Sequence, residues 1–475
     1  MKRVLSVLSL ILVAAFVLSA CGGAPATSAP AAPAPTTAPA APAPTTAPAA
    51  PAPTTAPAPA ATAAPAATAA PTVAPTTAPA AAASPTAKPT AVFSKGAKGK
   101  ITIWHQWDGK YLDAITAAFK DYEKAHPGVT IDLSKPDDVQ NALKVAVPAG
   151  EGPDIIGWAN DHIGDLALLG NIVALDDYKI DQTFLKSTYE PAAVAGVVWQ
   201  NKIWALPESQ EGIALVYNKK LVTTADLPSD PKNFDDLLAK AKAFADKNPG
   251  KYLVCNQGLG NPDAYHVAPI FFGFGVPSYV DDKGKAYLNT PEAIKAANWI
   301  KSFSAVAPKE ANGDLCKSMF LEGKAAVYWT GPWAIADIEA AKIDYGILPM
   351  GRPFVGIKTL MLTQNAVDRG QADKALDIMK YFTSADVQTK IALANKTIPA
   401  PTGAMKNADV QKLNTLAGFG ASMALGVPMA NTPFASAQWG PVGDAVTAIW
   451  QGKQAPDAAM TAAQKAVDDA IAKMK

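Results

Sequence analysis

Apolar positions divide the chain into three regions. A single apolar run extends from Val4 to about Leu18, directly behind Met1-Lys2-Arg3. Residues 24–91 show no apolar period at all. From about Gly99 onward, two-residue and three-to-four-residue periods take turns, the marks of strands and helices. Lys100-Ile-Thr-Ile-Trp104 alternates as a strand. Leu112, Ile115, Phe119 and Tyr122 then fall at spacings of three and four, one face of a helix. His126-Pro127-Gly128 ends it, and Val129, Ile131 and Leu133 alternate again. This unit predicts a parallel strand pair joined by a right-handed crossover. Residues 154–158, 212–217 and 325–329 read as further strands, and residues 234–248 and 456–474 as helices. Thr290-Pro291 has the form of an N-cap followed by proline in the first helical position. The predicted class is α/β, and ligands of such sheets sit at the carboxyl ends of strands.

Composition explains the first two regions. A basic start, a short apolar core and small residues before Cys21 describe a secretory signal over residues 1–20. Leu18-Ser19-Ala20-Cys21 resembles a bacterial lipobox, which implies lipid attachment at Cys21. Residues 21–97 are then a tether made almost wholly of Ala, Pro and Thr, with a nine-residue repeat beginning at Pro33 and again at Pro42. Its prolines forbid a helix and it lacks the apolar side chains for a core. Extended polyproline II, at about 3.1 Å per residue, would span on the order of 200 Å. The chain is expected outside the cytoplasm, held to the cell membrane by its lipid.

All ten tryptophans and all twelve tyrosines lie in the remaining part, which is long enough for two lobes with separate cores. A net charge of +1 without a basic block argues against nucleic acid. Cys255 and Cys316 stand apart from any histidine cluster, so they do not form a zinc signature. They are either a disulfide or two buried thiols. The chain has no phosphate-cradling glycine loop, and no cofactor is expected.

Candidate chemistry gathers at predicted strand ends. Trp104-His105-Gln106-Trp107-Asp108, Trp158-Ala159-Asn160-Asp161, Trp329-Thr330-Gly331-Pro332-Trp333 and Gln438-Trp439 set tryptophans beside polar or acidic groups. Sugars call for this mixture. Their C–H faces lie on aromatic rings, and a carboxylate accepts from two neighbouring hydroxyls. Asp108, Asp161, Glu211 and Asp263 keep two rival readings open. A polyamine binder would gather such acids, and a glycoside hydrolase would need two of them about 5–10 Å apart.

From Lys100 to its end the chain resembles the ABC-transporter solute-binding proteins of the maltose/maltodextrin group. The stretches that carry this are Gly150-Glu-Gly-Pro-Asp-Ile-Ile-Gly-Trp-Ala-Asn-Asp161, Ala205-Leu-Pro-Glu-Ser-Gln-Glu-Gly-Ile-Ala-Leu-Val-Tyr-Asn-Lys219, Tyr328-Trp-Thr-Gly-Pro-Trp333 and Pro353-Phe-Val-Gly356. The resemblance implies a two-lobed periplasmic-binding-protein fold of type II, hinged, with the ligand cleft between the lobes. One lobe would comprise residues 98–210 and 357–410, the other 211–356 and 411–475. It implies a monomer that captures a sugar without catalysis and delivers it to membrane permease subunits. Maltose, short maltodextrins and trehalose are the sugars implied. The binding residues carried over are Gln106, Asp108, Trp158, Asp161, His162, Glu211, Asp263, Tyr265, Trp333 and Trp439. Trp107 appears as an extra ring in the first loop. Gly440 and Gly443 stand where maltodextrin binders have a tyrosine and an arginine, so the stacking surface is expected to be redistributed.

Overall fold

The computed structural model describes residues 99–137 and 139–474. The signal, Cys21 and the tether lie outside the described residues. In chain order the strands are β1 (Gly99–His105), β2 (Val129–Ser134), β3 (Ile155–Ala159), β4 (Val198–Trp199), β5 (Lys202–Ile203), β6 (Leu206–Glu211), β7 (Ala214–Asn218), β8 (Tyr252–Cys255), β9 (Ala325–Thr330), β10 (Tyr345–Leu348), β11 (Phe354–Leu362), β12 (Ile398–Pro399) and β13 (Val427–Pro428). The larger sheet has the order β12-β6-β11-β3-β1-β2, with β13 added alongside β11. Strands β2 and β3 flank β1 in parallel, whereas β11 runs antiparallel to both β3 and β6. The smaller sheet has the order β10-β7-β9-β8, with β8 parallel to β9 and the other pairs antiparallel. Strands β4 and β5 form a separate short hairpin.

The elements form where the pattern predicts them, with one change of face. Helix Gly109–Ala125 is capped by Asp108, whose side chain accepts from Gly109 N. Its buried face is Tyr111, Ile115, Phe119 and Tyr122, while Leu112 is only half-buried. Tyr111 turns inward because its hydroxyl finds a buried carboxylate, a partner that leucine does not need. Helix Pro291–Phe303 begins as expected, with Thr290 Oγ1 accepting from Ala293 N at 3.2 Å. Losing a cap of this kind costs about 1 kcal/mol.

Each sheet has its own apolar core. Ile101, Ile103, Ile155, Ile156, Leu360 and Leu362 pack in the first, around Trp107 and Phe382. Leu215, Leu253, Val327 and Trp329 pack in the second against Phe271, Phe303 and the helix Pro456–Ala472. A third cluster, with Val216, Tyr328 and Phe419, fills the other face of the smaller sheet. Each large aliphatic side chain buried in this way contributes about 1.5–3 kcal/mol.

The chain after β13 leans back on the first lobe. Asn431 donates to Gly196 O and Val198 O, and Asn160 donates to Met429 O. Gly164, in helix Ile163–Leu168, makes this approach possible. A Cβ there would lie 2.3 Å from Pro433 N and 2.4 Å from Thr432 C, both backbone atoms. Gly164→Ala is therefore expected to lower stability by about 1–3 kcal/mol, as overpacking does, seen as a lower denaturation midpoint at unchanged m.

Candidate ligand-binding cleft

A cleft of about 590 Å³ opens between the two sheets. Turns at strand ends supply most of its lining. On the first side, Gln106 follows β1, Trp158 and Ala159 end β3, and Asp161 and His162 form the short turn Asn160–His162. Glu211 ends β6, and Lys358 rises from the middle of β11. On the other side, Tyr265 and His266 belong to helix Ala264–Gly273, and Trp333 to the turn Pro332–Ala334 after β9. Asp314 and Lys317 sit on helix Gly313–Leu321, and Trp439 starts helix Trp439–Trp450.

The structure brings Gln106, Asp108, Trp158, Asp161, His162, Glu211, Tyr265, Trp333 and Trp439 together on the cleft wall. Two expected residues stand elsewhere. Trp107 is 1% exposed and belongs to the first core. Its ring stacks on His105 and meets Phe382, and its Nε1 donates to Glu208 Oε2 at 3.1 Å. The extended chain leaving β1 turns Gln106 toward the cleft and so turns Trp107 toward the core. Asp263 also lies off the cleft. It caps helix Ala264–Gly273, accepting from His266 N at 3.1 Å and from Gln257 Nε2 at 2.8 Å. His266 Nδ1 approaches within 2.8 Å as an ion-pair contact. Burial alone would raise the Asp263 carboxyl, but the His266 charge and these hydrogen bonds outweigh it and hold it at about 2. The ring that meets the cleft at this point is His266.

The aromatic wall is built from the second core outward. Trp333 stands 6.2 Å from Tyr265 and 5.8 Å edge-on from His266. Buried Phe354 supports this wall, stacked beneath Tyr265 at 6.2 Å and edge-on to Trp439 at 5.6 Å. Gly331 lets the Trp333 ring fold back over the chain, since a Cβ there would lie 2.1 Å from that ring. Across the cleft, Trp158 meets His162 edge-on at 5.9 Å, and His162 Nε2 lies 3.4 Å from Asp161 Oδ2.

Tyr111 and Lys358, with Glu208 behind them, escaped the sequence reading as parts of this site. A signal for Lys358 was present, because it is the one charged residue in the apolar strand Phe354–Leu362. A fully buried lysine needs a partner, and Glu211 Oε1 lies 3.5 Å from its Nζ. Burial pushes the Glu208 carboxyl up to about 7, against the opposing charge of Lys358. Burial also raises Glu211, again opposed by Lys358. Tyr111 is pushed well above its ordinary value by burial and by the Glu208 and Glu211 charges.

A two-lobed α/β protein with a ligand cleft between its sheets defines the class. The sequence profile of the bacterial extracellular solute-binding proteins matches residues 108–389, and the chain belongs to that family. It is similar to the maltotriose-binding protein of Pyrococcus abyssi, with 30% identity over 74% of this chain and 77% of the relative. It is also similar to the galactooligosaccharide-binding protein of Bacillus subtilis, with 24% identity over 77% of this chain and 88% of the relative. Among solved structures, the maltose/maltodextrin-binding domain MalE from Bdellovibrio bacteriovorus bound to maltotriose has the same fold. Its TM-score is 0.71 at 24% identity, covering 78% of this chain and all of that one.

Proposed function

We propose that this chain is the sugar-capturing lipoprotein of an ABC importer, closing its two lobes on a maltodextrin-type oligosaccharide. The observation that carries this is a single cleft in which Trp333, Trp439 and Tyr265 face Trp158 and the buried acids Asp161 and Glu211. Flat rings take the apolar sugar faces, and carboxylates accept from paired hydroxyls. A sugar that touches both lobes favours the closed state by its differential affinity. The closed form would dock on membrane permease subunits as a monomer, tethered through Cys21, without catalysing a reaction. Crossings near Glu211 and Gly356 would let residues 98–210 and 357–410 rotate against 211–356 and 411–475.

The galactooligosaccharide-binding relative favours a second reading, a galactooligosaccharide in the same cleft. Intrinsic tryptophan fluorescence, titrated with maltose, maltotriose, trehalose, glucose and a galactooligosaccharide, separates the two. A saturable change with maltose or maltotriose is expected. Saturation by the galactooligosaccharide alone selects the second reading, and silence toward all five from folded protein rejects both.

A further inference from the structure

Strand β6 does not run in even register against β11. Gly356 lies opposite Glu211, Ile357 opposite Gln210 and Lys358 opposite Ser209, but Thr359 lies opposite Pro207. Glu208 is therefore the extra residue of a β-bulge, a device that re-aims a side chain. In an even strand, Glu208 and Glu211 would face opposite sides, being an odd number of positions apart. Here Glu208 turns to the side of Ser209. Tyr111 Oη reaches both, at 2.5 Å from Glu208 Oε1 and 3.4 Å from Ser209 Oγ. Lys358 is the cross-strand partner of Ser209 and faces the same way. Its Nζ stands 3.5 Å from Glu211 Oε1, 5.1 Å from the centre of the Tyr111 ring and 6.0 Å from that of Trp333. Lys358 thus pairs with Glu211 at the floor of the cleft, and Glu208 lies behind them, away from the cleft lining.

We propose that Lys358 is a positioning residue that keeps Glu211 ionised as a two-oxygen acceptor for sugar hydroxyls, with the bulged Glu208 held behind it on the core side by Trp107 and Tyr111. This rests on the sugar reading above. A carboxylate taken from water prefers its neutral form unless a cation opposes the loss of hydration. A neutral Glu211 would give up charge-assisted hydrogen bonding to the ligand. Lys358 is the leading influence that opposes burial at both Glu208 and Glu211. The other titratable groups that act on this cluster are Tyr111 from helix Gly109–Ala125, Tyr265 from the second lobe and His105 at the end of β1. Each is neutral near neutral pH: burial, assisted by neighbouring charges, raises both tyrosines well above their usual range and lowers His105 to about 4. None of them replaces the lysine charge.

The sign follows from this. Without Lys358 the Glu211 midpoint rises, so binding that needs its carboxylate is weak at low pH and recovers as pH rises. Lys358→Met is expected to bind maltotriose with affinity that falls about tenfold for each pH unit below the new midpoint. Wild type and Lys358→Arg stay flat across neutral pH, and Lys358→Met combined with Glu211→Gln has no such slope. If Lys358→Met does not fold, Lys358→Met with Glu208→Gln removes the lysine together with the carboxylate behind it, leaves Glu211, and is expected to show the same slope. A loss equal at every pH, or no loss, overturns the proposal. The Glu211 carboxyl is also followed by carbon-13 NMR in ligand-free protein, assigned with Glu211→Gln. A midpoint that rises on removal of Lys358 supports the proposal even if no sugar binds, in which case only the sugar reading fails. An unmoved midpoint overturns it.

Discussion

Trp333→Ala is expected to weaken maltotriose binding about thirty- to hundredfold, a loss of 2–3 kcal/mol, as truncation of a central aromatic anchor does. The ring earns this expectation by position. It projects from the turn Pro332–Ala334 into the cleft, beside Tyr265 and His266, with the Lys358 ammonium over its face. It also packs against all three apolar clusters, so some folding stability will be lost with it. The two effects separate by measurement. Isothermal titration calorimetry well below the melting temperature reads affinity, and denaturation without sugar reads stability. Gly331→Ala gives a second view, because it keeps the ring but displaces it. A threefold change or less in Kd for Trp333→Ala would remove this tryptophan from the binding surface.

The second large effect concerns the bridge between Cys255 and Cys316, with Cα atoms 5.4 Å apart. It closes a loop across a sequence separation of 61 residues. Replacing both cysteines with alanine is expected to lower stability by about 2–4 kcal/mol. The protein's m-value should rise slightly as the unfolded chain expands. The bridge also joins two pieces of cleft wall. Cys255 ends β8 just before Gln257, and Cys316 lies on helix Gly313–Leu321 with Asp314 and Lys317. Sugar affinity should therefore drop along with stability. Urea denaturation with and without reductant, each followed by a maltotriose titration, tests both parts. An unchanged midpoint in the double variant would mean that packing alone holds β8 to that helix.

Much of the cleft was legible before any fold was known. Asp108, Trp158, Asp161, Glu211 and Trp333 stand at or just after strand ends, where local patterning and motif resemblance place them, whereas Trp439 begins a helix. Asp263 shows the limit of that reasoning. The resemblance carries it over as a sugar-binding acid of the second lobe, yet it caps a helix and its carboxylate is used by Gln257 and His266. No local pattern says which partner a carboxylate will choose. Trp107 shows the same limit for a ring, since a core tryptophan and a stacking tryptophan look alike in sequence.

The sequence by itself determined the alternation of strands and helices, the cap at Thr290, and the residue types that a sugar needs. These follow from side-chain period and local hydrogen bonding, which span only a few residues. Only the tertiary structure decided the antiparallel course of β11, the bulge at Glu208, the bridge between Cys255 and Cys316, and the pairing of Lys358 with Glu211. Each depends on register or burial between segments far apart in the chain, and a one-residue change of register exchanges the two faces of a strand.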